Sequence, residues 1–529
     1  MHRFLLILLF LLASVSAQSA EDLVGRLLLL SFEGDSAPLE RLEAFSPAGF
    51  LYFPNNVTST QAVRSSTRAL QDAASYPLLF GIDQEGGPIN TYRVDDATNF
   101  PGNMALAATG QPDLARRVGE AVGLELAYAG FNLNFAPVVD VNSNPDNPVI
   151  GLRSFGSDPN TVSAFATAYL QGLEAAGVAG VAKHFPGHGD TALDSHLELP
   201  SINADRARLD SVELPPFRDM IAAGVPGIMT AHVTFAALEP DIPATLSSAA
   251  LTDLLRGELG FEGVVVTDFM DMKAIADNYG AGEAAVRSVV AGADLVMISS
   301  ELDTQREVVA ALRDAVRDGR LSQERVLEAI ARTEHLATRY PPAWDAAPPD
   351  YTAHQTLANE IGSSSATLLW NDGALPLPAG RTVVIAPQPP NYGDTFHLGS
   401  ILKRYHADVN SVIVSPKPSP TDIETAVAAA QGAERIVLGS YHWLGDFAPT
   451  LNDLHSELVA TGIPVVSVAL GNPDDLRFLD AESAAYLAVY GFREANLSAA
   501  AQLLTGTTPQ GRLPVALEAH PLGAGLGGF

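Results

Sequence analysis

Three histidines, two aspartates and one lysine fall within fourteen residues: Lys183-His184-Phe185-Pro186-Gly187-His188-Gly189-Asp190-Thr191, then Asp194-Ser195-His196. Its Gly and Pro content makes this segment a loop. A loop selected only for solubility would be richer in Glu, Arg and Ser. Asp194 and His196 are two apart and share a face of an extended stretch, so the carboxylate can orient the imidazole and raise its basicity. That arrangement suits proton transfer. A metal site competes with this reading, because His184, His188, Asp190 and His196 are all competent ligands. Lys183 opposes it, as a fixed positive charge beside the first ligand, and no second cluster elsewhere completes such a site.

A second candidate is Asp268, which follows the apolar run Val264-Val265-Val266-Thr267. A buried strand ending there delivers a carboxylate on a rigid element, as covalent catalysis requires. The competing role is to cap the helix that follows, on which Asp271 is expected. Asp83-Gln84-Glu85-Gly86-Gly87 pairs carboxylates with glycines that allow a ligand close to the backbone. There Asp83 could grip the hydroxyls of a sugar. The loop Asn147–Phe155 adds Arg153. Carboxylates, Arg, Lys and His around one mouth suit a polyhydroxylated ligand, and no phosphate-binding loop or dinucleotide fingerprint competes.

Positioning these groups requires a scaffold. Eight short apolar runs read as strands: Arg26–Ser31, Gly49–Phe53, Pro77–Ile82, Leu133–Val139, Gly180–Lys183, Gly227–His232, Gly263–Thr267 and Ala293–Ile298. Amphipathic stretches such as Asp113–Ala129 and Pro159–Ala176 alternate with them. The rhythm suggests a (β/α)8 TIM-like barrel over 21–340, with an open doubly wound sheet as the alternative. The barrel is favoured because Asp83, Asp140, Lys183, His184, His232 and Asp268 all sit at strand C-terminal ends, which converge on one face of a barrel. A Pro-rich linker at 341–350 ends the pattern. Strand-like runs return at Thr382–Ala386, Ser411–Val414, Arg435–Gly439, Val465–Ala469, Ala485–Tyr490 and Leu513–Ala516. They predict a three-layer α/β sandwich domain over 351–529.

Composition narrows the partners. The chain has 529 residues and a formal net charge of −30, which disfavours nucleic acid and anionic membrane surfaces. It has no cysteine, so disulfides and thiolate chemistry are excluded. Lysine is rare: Lys183, Lys273, Lys403 and Lys417 are the whole set, which draws attention to Lys183. Residues 1–20 read as an export signal, a basic start followed by the apolar run Phe4–Leu12 and small residues up to Ala17. The expected location is periplasmic or extracellular, with no stable membrane insertion after cleavage.

The Lys183–Thr191 run with Asp194-Ser195-His196, and Thr267-Asp268 followed by Met270 and Met272, resembles glycoside hydrolase family 3, and within it the β-N-acetylhexosaminidase branch. Asn134–Asp140, Asn147–Phe155, Met229–His232 and Pro509–Pro514 extend the resemblance over nearly the whole mature chain. It implies a retaining exo-acting β-N-acetylglucosaminidase that needs no cofactor and no metal. Asp268 matches the nucleophile, and His196 the acid/base, assisted by Asp194. Asp83, Arg153, Lys183 and His184 match the sugar-binding residues. A β-glucosidase or β-xylosidase of the same family, or a non-catalytic sugar-binding barrel, are the alternatives. One departure stands out. Relatives carry an Arg where this chain has Thr91, Pro88 breaks the usual run, and Arg93 is the nearest replacement.

Overall fold

A computed structural model describes residues 19–387, 397–441, 449–479 and 483–529. Residues 1–18 of the expected 1–20 export signal lie outside them. Eight strands form the first sheet: β1 Leu28–Ser31, β2 Gly49–Tyr52, β3 Leu79–Ile82, β4 Leu133–Asn134, β5 Ala179–Phe185, β6 Gly227–Thr230, β7 Val264–Val266 and β8 Val296–Ile298. They pair in parallel in the order β7-β6-β5-β4-β3-β2-β1-β8. A parallel bridge from Val266 to Leu295 joins the two ends, with the Thr267 N–H donating to the Leu295 carbonyl at 2.9 Å. The sheet is therefore a closed barrel and not an open one.

Strands of a closed parallel barrel are buried on both faces, which is why they read as unbroken apolar runs. Leu29, Leu51, Leu79, Phe135, Val181, Met229, Val264 and Met297 fill the interior. β4 is shorter than the expected Leu133–Val139, because Pro137 has no N–H to donate to a ladder. Val138 still bridges Lys183. Outside, helices α1 Pro112–Ala129 and α2 Pro159–Ala175 lie in close contact. A side chain at Gly119 would meet the Tyr169 carbonyl at 2.1 Å, and one at Gly172 the Arg116 carbonyl at 2.0 Å. Only glycine lets the two backbones approach this closely.

The 341–350 segment contains no helix or strand. After it come helix α3 Tyr351–Ser365 and a second sheet: β9 Thr367–Asn371, β10 Thr382–Pro387, β11 Val409–Val414, β12 Arg435–Ser440, β13 Val465–Ala469 and β14 Ala485–Ala488. Its order is β9-β14-β13-β12-β10-β11, parallel except at the antiparallel β9–β14 pair. Alternate strand residues serve opposite faces. Val383 and Ile385 pack with Leu451 and Leu454, whereas Val384 and Ala386 pack with Leu398, Leu402 and Leu504. The last of these belongs to helix α4 Glu494–Leu504.

One expected strand is absent and another takes its place. Leu513–Ala516 is not in the sheet; the sixth strand is β9. Leu513 and Val515 are buried all the same, because the segment docks on the barrel. The Ser157 N–H donates to the Pro514 carbonyl at 3.1 Å, and the Arg512 N–H to the Ala108 carbonyl at 2.9 Å. Among the described residues no helix is long and apolar enough to cross a membrane.

Candidate active site

The polar groups gather where the strands end. Asp83 follows β3, Lys183 and His184 lie at the C-terminal end of β5, His232 follows β6 and Asp268 follows β7. β4 contributes Asn134, whose amide grips the Gln84 backbone on both sides: it accepts from Gln84 N–H and donates to Gln84 O, each at 3.0 Å. The side chain thereby extends the β3–β4 ladder and fixes the turn that carries Asp83 and Glu85.

Glu85 sits at the centre of one cluster, although the sequence reading gave it no role. Arg153 takes both its oxygens, at 2.9 Å each, and Lys183 Nζ lies 2.7 Å from Oε1. Burial alone would raise its pKa, but these two cations hold it down to about 2. Lys183 also donates to Asp83 at 2.5 Å. Burial works against the lysine's charge, and the two carboxylates overrule it, so its pKa is raised. Asp83 keeps 28% of its side chain exposed, at the open end of this chain of partners. The alternation of Asp83 and Glu85 was the available signal, since residues two apart in a strand-like stretch share a face.

Asp140 organises the neighbouring groups and was likewise only noted as a strand-end residue. Its Oδ2 lies 2.7 Å from His184 Nδ1, and its Oδ1 accepts the backbone N–H of His184 and His188 at 3.1 and 2.7 Å. His184 Nε2 faces Arg153 at 3.4 Å. His188 is turned away from the mouth. Its Nε2 pairs with Ser195 Oγ at 2.9 Å and its Nδ1 with Thr191 Oγ1 at 3.1 Å. Burial and the nearby His184 push its pKa down to about 4, so it is neutral near pH 7.

Asp194 and His196 do pair, with Nδ1 2.7 Å from Oδ1, but not as residues of an extended stretch. Asp194 Oδ1 also accepts the His196 N–H at 2.8 Å, and its carbonyl accepts from Leu197 and Glu198 at 2.9 and 3.0 Å. The segment is therefore a turn that brings the carboxylate back onto its own ring. The His196 side chain remains 59% exposed. Its bond to Asp194 raises its pKa despite partial burial, and Asp268 adds to the rise. With Nδ1 committed to Asp194, Nε2 is the nitrogen free to exchange a proton.

Asp268 is held as an anion. Burial would raise its pKa, yet His232, His184, the Phe269 N–H and His196 hold it to about 2. The Phe269 N–H donates to its Oδ1 at 2.7 Å. His232 is fixed by Thr245 at 2.7 Å and by the Phe269 carbonyl at 3.1 Å, so it orients the turn; burial lowers its own pKa. Asp268 does not cap the next helix, whose N-cap is Met272; Asp271 lies in the turn before Lys273, off the helix where it was expected.

His184, His188, Asp190 and His196 do not converge. Their rings serve Asp140, Ser195 and Asp194, and among the described residues no group of three could hold a metal. Arg93 is exposed, with its Nε on the Asn90 carbonyl. What the mouth presents is an ionised carboxylate, a paired imidazole with a raised pKa, and the charged cluster of Asp83, Glu85, Arg153 and Lys183. That is equipment for general acid/base and nucleophilic work on a hydroxylated substrate.

Known proteins carry the same scaffold. A glycoside hydrolase family 3 beta-N-acetylglucosaminidase from Paenibacillus sp. strain FPU-7 superposes with a TM-score of 0.89 at 36% identity, covering 96% of this chain and 100% of that one. A beta-hexosaminidase A of Pseudoalteromonas piscicida is 39% identical over 65% of this chain. A beta-N-acetylglucosaminidase/beta-glucosidase of Cellulomonas fimi is 36% identical over 61% of it. The alignments span 63% and 60% of those two relatives' own lengths. Residues 21–336 match the model of the glycosyl hydrolase family 3 N terminal domain. That span takes in all eight barrel strands and every site residue from Asp83 to Asp268, and the chain belongs to glycosyl hydrolase family 3.

Proposed function

We propose that this chain is a retaining exo-β-N-acetylglucosaminidase acting on terminal β-linked N-acetylglucosamine in cell-wall or chitin-derived oligosaccharides. The observation that carries the reading is the Asp194–His196 pair, with Nδ1 2.7 Å from Oδ1, near enough to the half-buried Asp268 for that carboxylate to add to the rise in the imidazole's pKa. Asp268 attacks the anomeric carbon while His196 Nε2–H protonates the departing oxygen, leaving a glycosyl ester and a neutral imidazole. His196 then takes a proton from water, the water attacks the same carbon, and the Asp268 carboxylate leaves. Usual schemes pair two carboxylates; here an imidazole replaces one, with Asp194 stabilising its charged form. Asp83, Lys183, His184 and Arg153 bind the sugar hydroxyls. The leader-like residues 1–20 support action outside the cytoplasm, to be checked by N-terminal sequencing of protein recovered from the medium or periplasm.

The name of the Cellulomonas fimi relative favours one second reading, a β-glucosidase activity at the same site. Assays on nitrophenyl β-glycosides of N-acetylglucosamine, glucose and xylose decide between them. The proposal expects the highest kcat/KM on N-acetylglucosamine. A preference for glucose or xylose overturns it, and inactivity on all three returns the chain to the non-catalytic alternative.

A further inference from the structure

Among the described residues that the second domain brings to the barrel mouth is one buried arginine. Arg493 immediately precedes α4 and is 1% exposed. Its Nε and Nη2 both donate to the carbonyl of Gly87, 406 residues away in sequence, at 3.0 and 2.7 Å. Its guanidinium also lies against the Phe492 ring, 5.2 Å from the centroid. Gly87 ends the turn that begins with Asp83, and Glu85 is two residues before it.

The start of that turn is held by Asn134 and Tyr169 on the Gln84 backbone and by Arg153 and Lys183 on Glu85, but its Gly87 end has no side chain to hold it. Gly87 has φ +56°, and a Cβ there would come within 2.6 Å of the Gly102 Cα, so no side chain fits. It is held by its backbone atoms: the N–H donates to the Phe100 carbonyl at 3.0 Å and the carbonyl accepts from Arg493. Between Asp83 and Tyr92 the chain has no Lys or Arg of its own, and the Nε of Arg93 donates to the Asn90 carbonyl. A buried carbonyl that loses both donors must find another partner, and the turn shifts to do so. Glu85 and Asp83 would move with it, and through them Lys183.

We infer that Arg493 is a positioning residue: it makes the second domain part of the sugar pocket by fixing the Gly86–Gly87 turn, and so the placement of Asp83 and Glu85. The inference rests on the sugar-binding reading of that pocket. Its test compares Arg493→Gln and Arg493→Lys with Lys183→Ala and with Arg117→Ala. The last breaks a different contact between the domains, the exposed Arg117–Glu360 pair. Each is assayed on nitrophenyl N-acetyl-β-glucosaminide.

The expected result for Arg493→Gln is a KM raised about tenfold or more with a much smaller change in kcat, because the Asp268 and His196 turns are untouched. Arg493→Lys, which keeps the charge and one donor, should fall between it and the parent. Arg117→Ala should match the parent. A lowered melting temperature with unchanged KM in both Arg493 variants overturns the inference, since that is what a purely structural strut would give. If Lys183→Ala is impaired while the Arg493 variants keep their KM, only the positioning role fails. If Lys183→Ala behaves as the parent, the sugar-pocket reading fails and the inference with it.

Discussion

Glu85 and Asp294 are buried carboxylates at opposite ends of the barrel, and both are surrounded by cations. Asp294 precedes β8, at the N-terminal end. It receives Arg256 at 2.6 Å, Arg325 at 2.7 Å, Arg332 at 3.2 Å and the Val265 N–H at 3.0 Å. Arg256 continues to the Phe261 and Gly263 carbonyls, and Arg325 to those of Gly292 and Ala293. Arg325 and Arg332 also reach Glu328, which lies half exposed on the outer helix, so the chain of partners there runs to the barrel's flank and not to its mouth. At Glu85 the chain runs through Lys183 to Asp83 and stops at the open mouth. Similar charges thus do different work: one cluster ties the barrel closure together, and the other leaves hydrogen-bonding capacity for a ligand. This matches the general division of a (β/α)8 barrel into a stability face and an active face.

Breaking the two ends should separate activity from stability. The largest effect is expected at Asp268. Asp268→Asn cannot form the glycosyl ester, so kcat should fall at least about a thousandfold with the melting temperature retained, while Asp271→Asn stays near the parent. Steady-state kinetics with thermal melts check this. At the closed end, Asp294→Asn should cost about 3–5 kcal/mol of stability, because it removes the buried anion that three largely buried arginines share. Its kcat per folded molecule at 25 °C should be unchanged; denaturant titration and active-site-normalised rates measure both. Lys183→Ala should do the reverse. Its loss leaves Asp83 and part of Glu85 unpaired in the pocket, lowering kcat/KM by about 2–5 kcal/mol, with a smaller effect on melting.

The smallest effect expected is a shift in pH profile. Asp268 is held at about 2 and stays ionised well into acid. Under the proposed mechanism the alkaline limb of kcat/KM belongs to His196, which must carry its proton and does so below its raised pKa. Asp194→Asn removes the main cause of that rise, so the limb should move to lower pH. A limb that stays in place in the variant would assign it to another group.

Much of this was legible in the sequence for a definite reason. Parallel strands buried on both faces, such as Val264–Val266, stand out as apolar runs, and a charged residue just after one must lie at the barrel rim. Asp268, Lys183 and Asp83 could be placed in that way. The roles of Glu85 and Asp140 could not, because they depend on partners from β5 and from the Arg153 loop. β9 was missed because α3 ends at Ser365 and the strand begins at Thr367, with no turn residues between them to mark the change. Leu513–Ala516 misled for the opposite reason: its apolar alternation is real, but it serves docking on the barrel and not a ladder. Arg493 carries no local signal at all, since its partner Gly87 lies on the other domain.

The most direct test of the nucleophile and acid/base pair is His196→Ala, assayed on an N-acetylglucosamine disaccharide and on the dinitrophenyl N-acetyl-β-glucosaminide, with and without azide. A dinitrophenolate leaves without protonation, whereas a sugar alkoxide does not. The disaccharide rate should fall by about 10²–10⁴-fold, the activated substrate should still form the glycosyl-enzyme, and azide should accelerate its turnover and yield the β-glycosyl azide. Equal slowing of both substrates with no response to azide would contradict the assignment and place the acid/base elsewhere.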